Sequence, residues 1–176
     1  MIGAYSTLGL NQAIRFTSVP SDYFDGDYHG RISYSLGIKL SRLISQNSKI
    51  ELAACYSINR IAYEFPKIVN PDGEVYLETI EIFNVPIIYK RYLKNNYFVS
   101  FGTIIDIGLP RNSLWTDTQT GFGLIAGAGK EFSMRDFTLD ISPSMELHSV
   151  LPFSSVEYQQ RLLVIGFKVE LTNKCH

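Results

Sequence analysis

The chain has 176 residues, enough for one domain, and its 16 basic and 17 acidic side chains leave a formal net charge of −1. That balance gives no general affinity for polyanions, and no stripe of basic and aromatic residues points to nucleic acid. Hydrophobic residues make up 45% of the chain, yet polar residues break every run well short of the roughly 18 apolar residues a membrane helix needs. Helical spans are excluded; strands, which cross in about 9–11 residues, are not.

Alternating side chains identify eight strands, since successive residues of a strand face opposite ways. The first covers residues 2–16, where Leu8 and Leu10 alternate with Thr7, Gly9 and Asn11. The second, 31–44, sets Ile32, Tyr34, Leu36, Ile38 and Leu40 against Ser33, Ser35, Gly37, Lys39 and Ser41. In the third, 49–62, Ile50, Leu52, Tyr56 and Ile58 oppose Glu51, Ala53, Cys55 and Asn59. The fourth, 75–93, is less regular, with Phe83, Val85, Ile87 and Tyr89 on one face and Asn84, Pro86, Ile88 and Lys90 on the other.

The fifth, 97–109, is the most one-sided: Tyr97, Val99, Phe101, Ile105 and Ile107 back onto Ser100, Gly102, Asp106 and Gly108. The sixth, 121–132, places Phe122, Leu124, Ala126 and Ala128 against four glycines, Gly121, Gly123, Gly127 and Gly129. The seventh, from Phe137 to about His148, sets Leu139, Ile141, Pro143 and Met145 against Asp140, Ser142, Ser144 and Glu146. The eighth, 160–171, opposes Leu163, Ile165, Phe167 and Val169 to Val164, Gly166, Lys168 and Glu170.

Connections alternate in length. Short turns fall at 45–48, 94–96 and 131–136, and longer polar segments at 17–30, 64–74, 110–120 and 150–159. This alternation is that of an up-and-down transmembrane barrel with short periplasmic turns and longer external loops. The expected fold is therefore all-β, an eight-stranded antiparallel transmembrane barrel over 1–171, with a polar tail at 172–176. Such a barrel is just wide enough for side chains to fill it.

The small face then lines the lumen, and parity turns Glu51, Lys90, Asp106, Asp140, Glu146 and Lys168 inward as a paired polar network, because isolated charges there are costly. The wide apolar face meets lipid through Leu36, Ile38, Val99, Phe101, Ile105, Leu139, Ile141, Ile165 and Phe167. Pro143 cannot donate a ladder hydrogen bond, so a bulge or local break is expected there. Tyr89, Tyr92, Tyr97 and Trp115 lie near strand ends and suit interfacial girdles. No basic region and apolar core follow Met1, which fits either a cytosolic protein or a mature chain whose signal is removed or left out on expression; the strand pattern favours the second.

The stretch from Ile82 to Leu93, IFNVPIIYKRYL, resembles the fourth strand of the small outer-membrane β-barrel proteins of Bacteroidetes. The resemblance continues through 97–108, the Gly-rich 121–132 and the terminal 162–171. It implies an exported eight-stranded barrel in the outer membrane of a Gram-negative bacterium, some relatives being accessories of gliding or type IX secretion machinery. The chain departs from that pattern by following Leu171 with Thr172 to His176, where a terminal aromatic is usual.

Three functional readings follow. The first is a non-catalytic structural or accessory subunit of a membrane complex, its partners being lipid and proteins met through the loops. The second is a soluble lipocalin-like barrel holding an apolar ligand, which needs the bulky face inside. The third is a lipid-modifying hydrolase or transferase, for which Glu146, His148 and Ser149 are the available residues. Glu146 and His148 share the inner parity while Ser149 points away from them, and a polar loop rim accounts for all three. Asp22, Asp25, Asp27 and His29 could ligate a hard cation, though the spacing lacks a closing Glu and an exposed acidic loop accounts for it. Residues 123–132 lack the spacing and following helix of a phosphate cradle. Lys90, Arg91 and Lys94 sit near a turn, where anionic lipid heads and plain solvation are both open. Cys55 and Cys175 form no metal motif, and no cofactor is implied.

Overall fold

Alternation over long stretches produces long strands. The computed structural model describes residues 1–15, 27–64, 75–109, 119–153 and 160–174. They form β1 (Ile2–Arg15), β2 (Asp27–Ser45), β3 (Ser48–Glu64), β4 (Val75–Tyr92), β5 (Tyr97–Gly108), β6 (Gly121–Ser133), β7 (Phe137–Pro152) and β8 (Gln160–Asn173). Each strand pairs antiparallel with the next, and β1 pairs with β8 from Gly3↔Thr172 to Arg15↔Gln160, so the sheet closes into a barrel. Closure leaves no free sheet edge, the condition for strands to lie in hydrocarbon. No helix among the described residues is long and apolar enough to cross a membrane.

Short connections join β2 to β3, β4 to β5 and β6 to β7 at one end of the barrel. Between β4 and β5, Asn95 and Asn96 take φ near 60°, a region asparagine tolerates better than most residues. The long connections gather at the other end, and most of their residues lie outside the described ones, among them Asp22, Asp25 and Trp115. The tail expected from Thr172 is part of the sheet instead. Thr172 is buried opposite both Gly3 and Thr138, and the Lys174 amide donates to Asp136 O. Cys175 and His176 lie outside the described residues.

The register is not broken by an inserted residue at Pro143. Pro143 stays opposite Phe167 in continuous register with β8, and β6 runs Gly127↔Ser144 and Lys130↔Ile141 in one register on both sides of it. A proline removes a donor but inserts no residue. The expected local break therefore does appear toward β6, where the pairing skips Ala128 opposite Pro143 and Gly129 opposite Ser142, and there is no bulge. The bulges lie elsewhere. Opposite Gly123, β7 fits three residues, His148 to Val150, between Leu124↔Leu147 and Phe122↔Leu151, with Ser149 at φ 51°. In β2, Arg31 and Ile32 together oppose Arg60, between Gly30↔Ile61 and Ser33↔Asn59.

Burial follows the two faces. Exposed on the outside are large apolar residues from all eight strands, Phe101 at 60% and Phe167 at 64% among them. Buried inside are mostly polar, charged and small residues, the reverse of a water-soluble core.

Candidate functional site

The short-turn half of the lumen holds one ion network. Lys90 Nζ, from β4, lies 2.6 Å from Glu170 Oε2 of β8, 2.7 Å from Asp140 Oδ2 of β7 and 3.4 Å from Glu51 Oε1 of β3. Lys39 of β2 reaches Glu170 at 2.6 Å and Glu51 at 3.0 Å. Lys49 reaches Glu51 at 3.1 Å, Asp140 at 3.5 Å and Glu131 at 3.6 Å, while Lys168 holds the other oxygen of Glu170 at 2.9 Å. Four ammonium groups thus face four carboxylates, all buried except the half-buried Glu131. Two rings cover the cluster: Phe98 lies 4.4 Å from Lys90 Nζ and Tyr5 lies 4.5 Å from Lys168 Nζ, centroid distances in the cation–π range.

Carboxylate oxygens of Glu51, Asp140 and Glu170 lie within 4.8 Å of one another, a spacing a cation could bridge. Lys90 contacts all three, so an ammonium already supplies the compensating charge at their centre.

Nearer the long-loop end lies a second network around Asp106. Its carboxylate accepts 2.7 Å hydrogen bonds from Asn84 Nδ2 and the Ser149 amide, and lies 2.9 Å from His148 Nδ1. The Ser57 hydroxyl donates to Asn84 Oδ1, and His148 Nε2 is 3.7 Å from Glu146 Oε2. The bulge in β7 builds this site by turning Ser149 inward, contrary to the outward direction expected from alternation. Gly123 makes room for it: a Cβ there would stand 2.6 Å from Leu147 O and 2.9 Å from Asp106 Oδ2. His148 and Ser149 are both buried, and Ser149 Oγ faces Asp106 Oδ2 at 3.5 Å rather than the imidazole. A serine base relay, which needs hydroxyl against imidazole, is not what these residues form.

Beside the first network, apolar and hydroxyl side chains share the lumen, Ser142 and Ser144 lining the same small cavity as Ile88 and Ile125. Ile88, Ile104 and Ile125 pack together, and Tyr5, Ala53 and Cys55 form a second cluster. Further toward the loops, Ile61, Ile82, Leu162 and Val164 make a third. A cavity beside Lys90 and Ile125 measures about 10 Å³, room for about one water.

Of the residues expected to face inward, Glu51, Lys90, Asp140 and Lys168 meet in the first network. Asp106 and the partly buried Glu146 belong to the second, so the six do not form one cluster. Lys39, Lys49, Glu131 and Glu170 were not singled out in advance, yet each shares a strand face with a residue that was or with the small face. Of the residues expected to meet lipid, Leu36, Ile38, Val99, Phe101, Ile141, Ile165 and Phe167 are exposed on the outer wall, while Ile105 and Leu139 are half-buried. Tyr92 departs from its expected girdle position: its hydroxyl donates to Glu131 Oε2 at 2.5 Å, closing the short-turn mouth. Tyr89 does face outward, its ring centroid 5.3 Å from that of Phe101. Arg91 and Lys94 are exposed at the short-turn end, whereas Lys90 is inside. His29 lies 3.4 Å from Glu64, and the side chain of Asp27 lies outside those described.

No protein-family model matches the chain, and no curated protein sequence matches it. The chain is similar to solved outer-membrane barrels of Gram-negative bacteria. It aligns with the outer membrane protein OprG of Pseudomonas aeruginosa at 8% identity, covering 96% of this chain and 95% of that one, with a TM-score of 0.49. The outer membrane protein Ail of Yersinia pestis, solved in a phospholipid bilayer nanodisc, aligns at 13% identity over 95% and 98% of the two chains with a TM-score of 0.42. The N-terminal β-barrel domain of Pseudomonas aeruginosa OprF aligns at 12% identity over 96% of each, with a TM-score of 0.40.

Proposed function

We propose that the chain is a single transmembrane barrel of a Gram-negative outer membrane, plugged by its own side chains, and that it serves as a non-catalytic structural or accessory subunit. The observation that carries this reading is the inverted burial: a closed ring of strands with apolar residues outside and a paired ion network inside. Lipid satisfies the outer wall, and the closed ladder satisfies the backbone. The short turns face the periplasm and the long connections the exterior, where protein partners would meet them. The resemblance of 82–93 to barrels of Bacteroidetes, some of them secretion or gliding accessories, supports the accessory part of this reading.

A soluble apolar-ligand barrel would require the opposite burial, with residues such as Phe101 and Phe167 turned into a calyx. Here they are exposed, and the lumen around Lys90 is filled. The test is fractionation: after expression with an export signal, the protein should stay in outer-membrane pellets washed with alkaline carbonate. Release into the supernatant in folded form would overturn the reading.

A further inference from the structure

The seam between β1 and β2 ends early. The strands pair only as far as Leu10↔Ile32, whereas β1 continues against β8 to Arg15. Beyond that point two side chains of β1 replace the ladder: Asn11 Oδ1 accepts from the Arg31 amide at 2.9 Å, and Gln12 Oε1 accepts from the Gly30 amide at 3.0 Å. Gly30 admits the approach, since a Cβ there would stand 1.5 Å from Asn11 O. These bonds hold the β2 bulge, and a bulge re-aims side chains.

Here it aims Arg31 outward, beside Ile32 and across from Arg60 of β3, so both guanidiniums are exposed on the same stretch of wall. Neither has a side-chain ion pair among the described residues. Together they line an open cleft of about 790 Å³ with Leu10, Ile32 and Leu77, all strongly exposed, and with Glu78 from β4. Two forked cations above exposed apolar side chains match a ligand with an anionic oxygen-rich head and a hydrocarbon tail.

We propose that this cleft binds a lipid whose head carries a phosphate, Arg31 and Arg60 holding the phosphate while Leu10, Ile32 and Leu77 hold acyl chain. The proposal rests on the membrane-barrel reading, which places the cleft at the head-group level of the external leaflet. Apolar flanks favour a lipid over a free anion, and the paired guanidiniums favour a phosphate over a neutral head.

The test is native mass spectrometry of the full chain, folded in phosphate-free maltoside micelles and titrated with dioleoyl phosphatidic acid. Dioleoylglycerol, inorganic phosphate and the variant pair Arg42→Ala/Arg91→Ala, exposed arginines at the short-turn end, serve as controls. Wild type and the control pair should retain one phosphatidic acid, and Arg31→Ala/Arg60→Ala should weaken retention about tenfold. Dioleoylglycerol and inorganic phosphate should bind far more weakly. Retention unchanged in the folded Arg31/Arg60 variant, or equal binding of dioleoylglycerol or of inorganic phosphate, would overturn the proposal. Should the double variant not fold, Arg31→Gln and Arg60→Gln singly replace it under the same criterion. Boiling-dependent gel mobility scores folding separately, so a failure of the barrel reading is distinguishable from a failure of the lipid site.

Discussion

Lys90 Nζ lies 2.6 Å from Glu170 Oε2, although β4 and β8 stand on opposite sides of the ring. The pair spans the lumen, and with Asp140 and Glu51 around the same ammonium it ties four strands together. Breaking a buried pair by removing one partner costs about 3–5 kcal/mol, because the remaining charge is left unpaired. Lys90→Met should therefore lower the free energy of unfolding from lipid vesicles, read by urea titration, by an amount of that order. Adding Glu170→Gln should recover part of the loss. A single variant as stable as wild type would contradict the network's role.

The ion network and the Ile88–Ile104–Ile125 cluster fill the described lumen around Lys90, where the cavity beside them measures only about 10 Å³. Wild-type protein reconstituted in planar bilayers should give no steady ionic current at moderate voltage. Sustained single-channel steps from pure protein would show that the plug opens.

The outer wall makes a separate prediction. Phe101→Arg puts a charge where an exposed aromatic meets hydrocarbon, at a cost of about 2–4 kcal/mol at mid-membrane. The folded fraction in vesicles should fall accordingly, measured by urea titration. Unchanged folding would mean that Phe101 does not face lipid.

Much of this architecture is legible in the residues because strand parity has a period of two and needs no knowledge of partners. Lys39 sits among Ser33, Ser35, Gly37 and Ser41, and Glu170 shares a face with Lys168, so their inward direction follows from local pattern alone. Their pairing does not. Lys39 and Glu170 are 131 positions apart and meet only because the ring closes β1 onto β8. Bulges are the other blind spot, since extra residues suspend the alternation where they are inserted. Nothing in the run His148-Ser149-Val150 announces a positive φ, so Ser149 reads outward although it points at Asp106. Pro143 carries an obvious local signal, and it does interrupt the pairing with β6 while keeping its place opposite Phe167 of β8.

Gly123 is where that hidden bulge is most exposed to test. In Gly123→Ala the new methyl would press on Leu147 O and the Asp106 carboxylate, and overpacking of this kind costs about 1–3 kcal/mol. The urea midpoint should drop, whereas Ala126→Gly, on the outward face of the same strand, should shift it less. Equal effects would remove the special place of Gly123.

The Asp106 network also separates structure from catalysis. Asp106 holds both His148 and Ser149, so the expected role is to fix the bulge. Wild type and His148→Ala, incubated with phospholipid vesicles, should leave acyl-chain composition equally unchanged. Lipid turnover by wild type that His148→Ala abolishes would instead make His148 a catalytic residue.

The most direct test of a lipid-embedded closed barrel is electrophoretic mobility in cold detergent before and after boiling, using protein recovered from washed membranes. A closed barrel stable in detergent should migrate faster unboiled and shift to its full apparent mass on heating. Identical mobility before and after boiling, with the folded protein in the soluble fraction, would contradict the account.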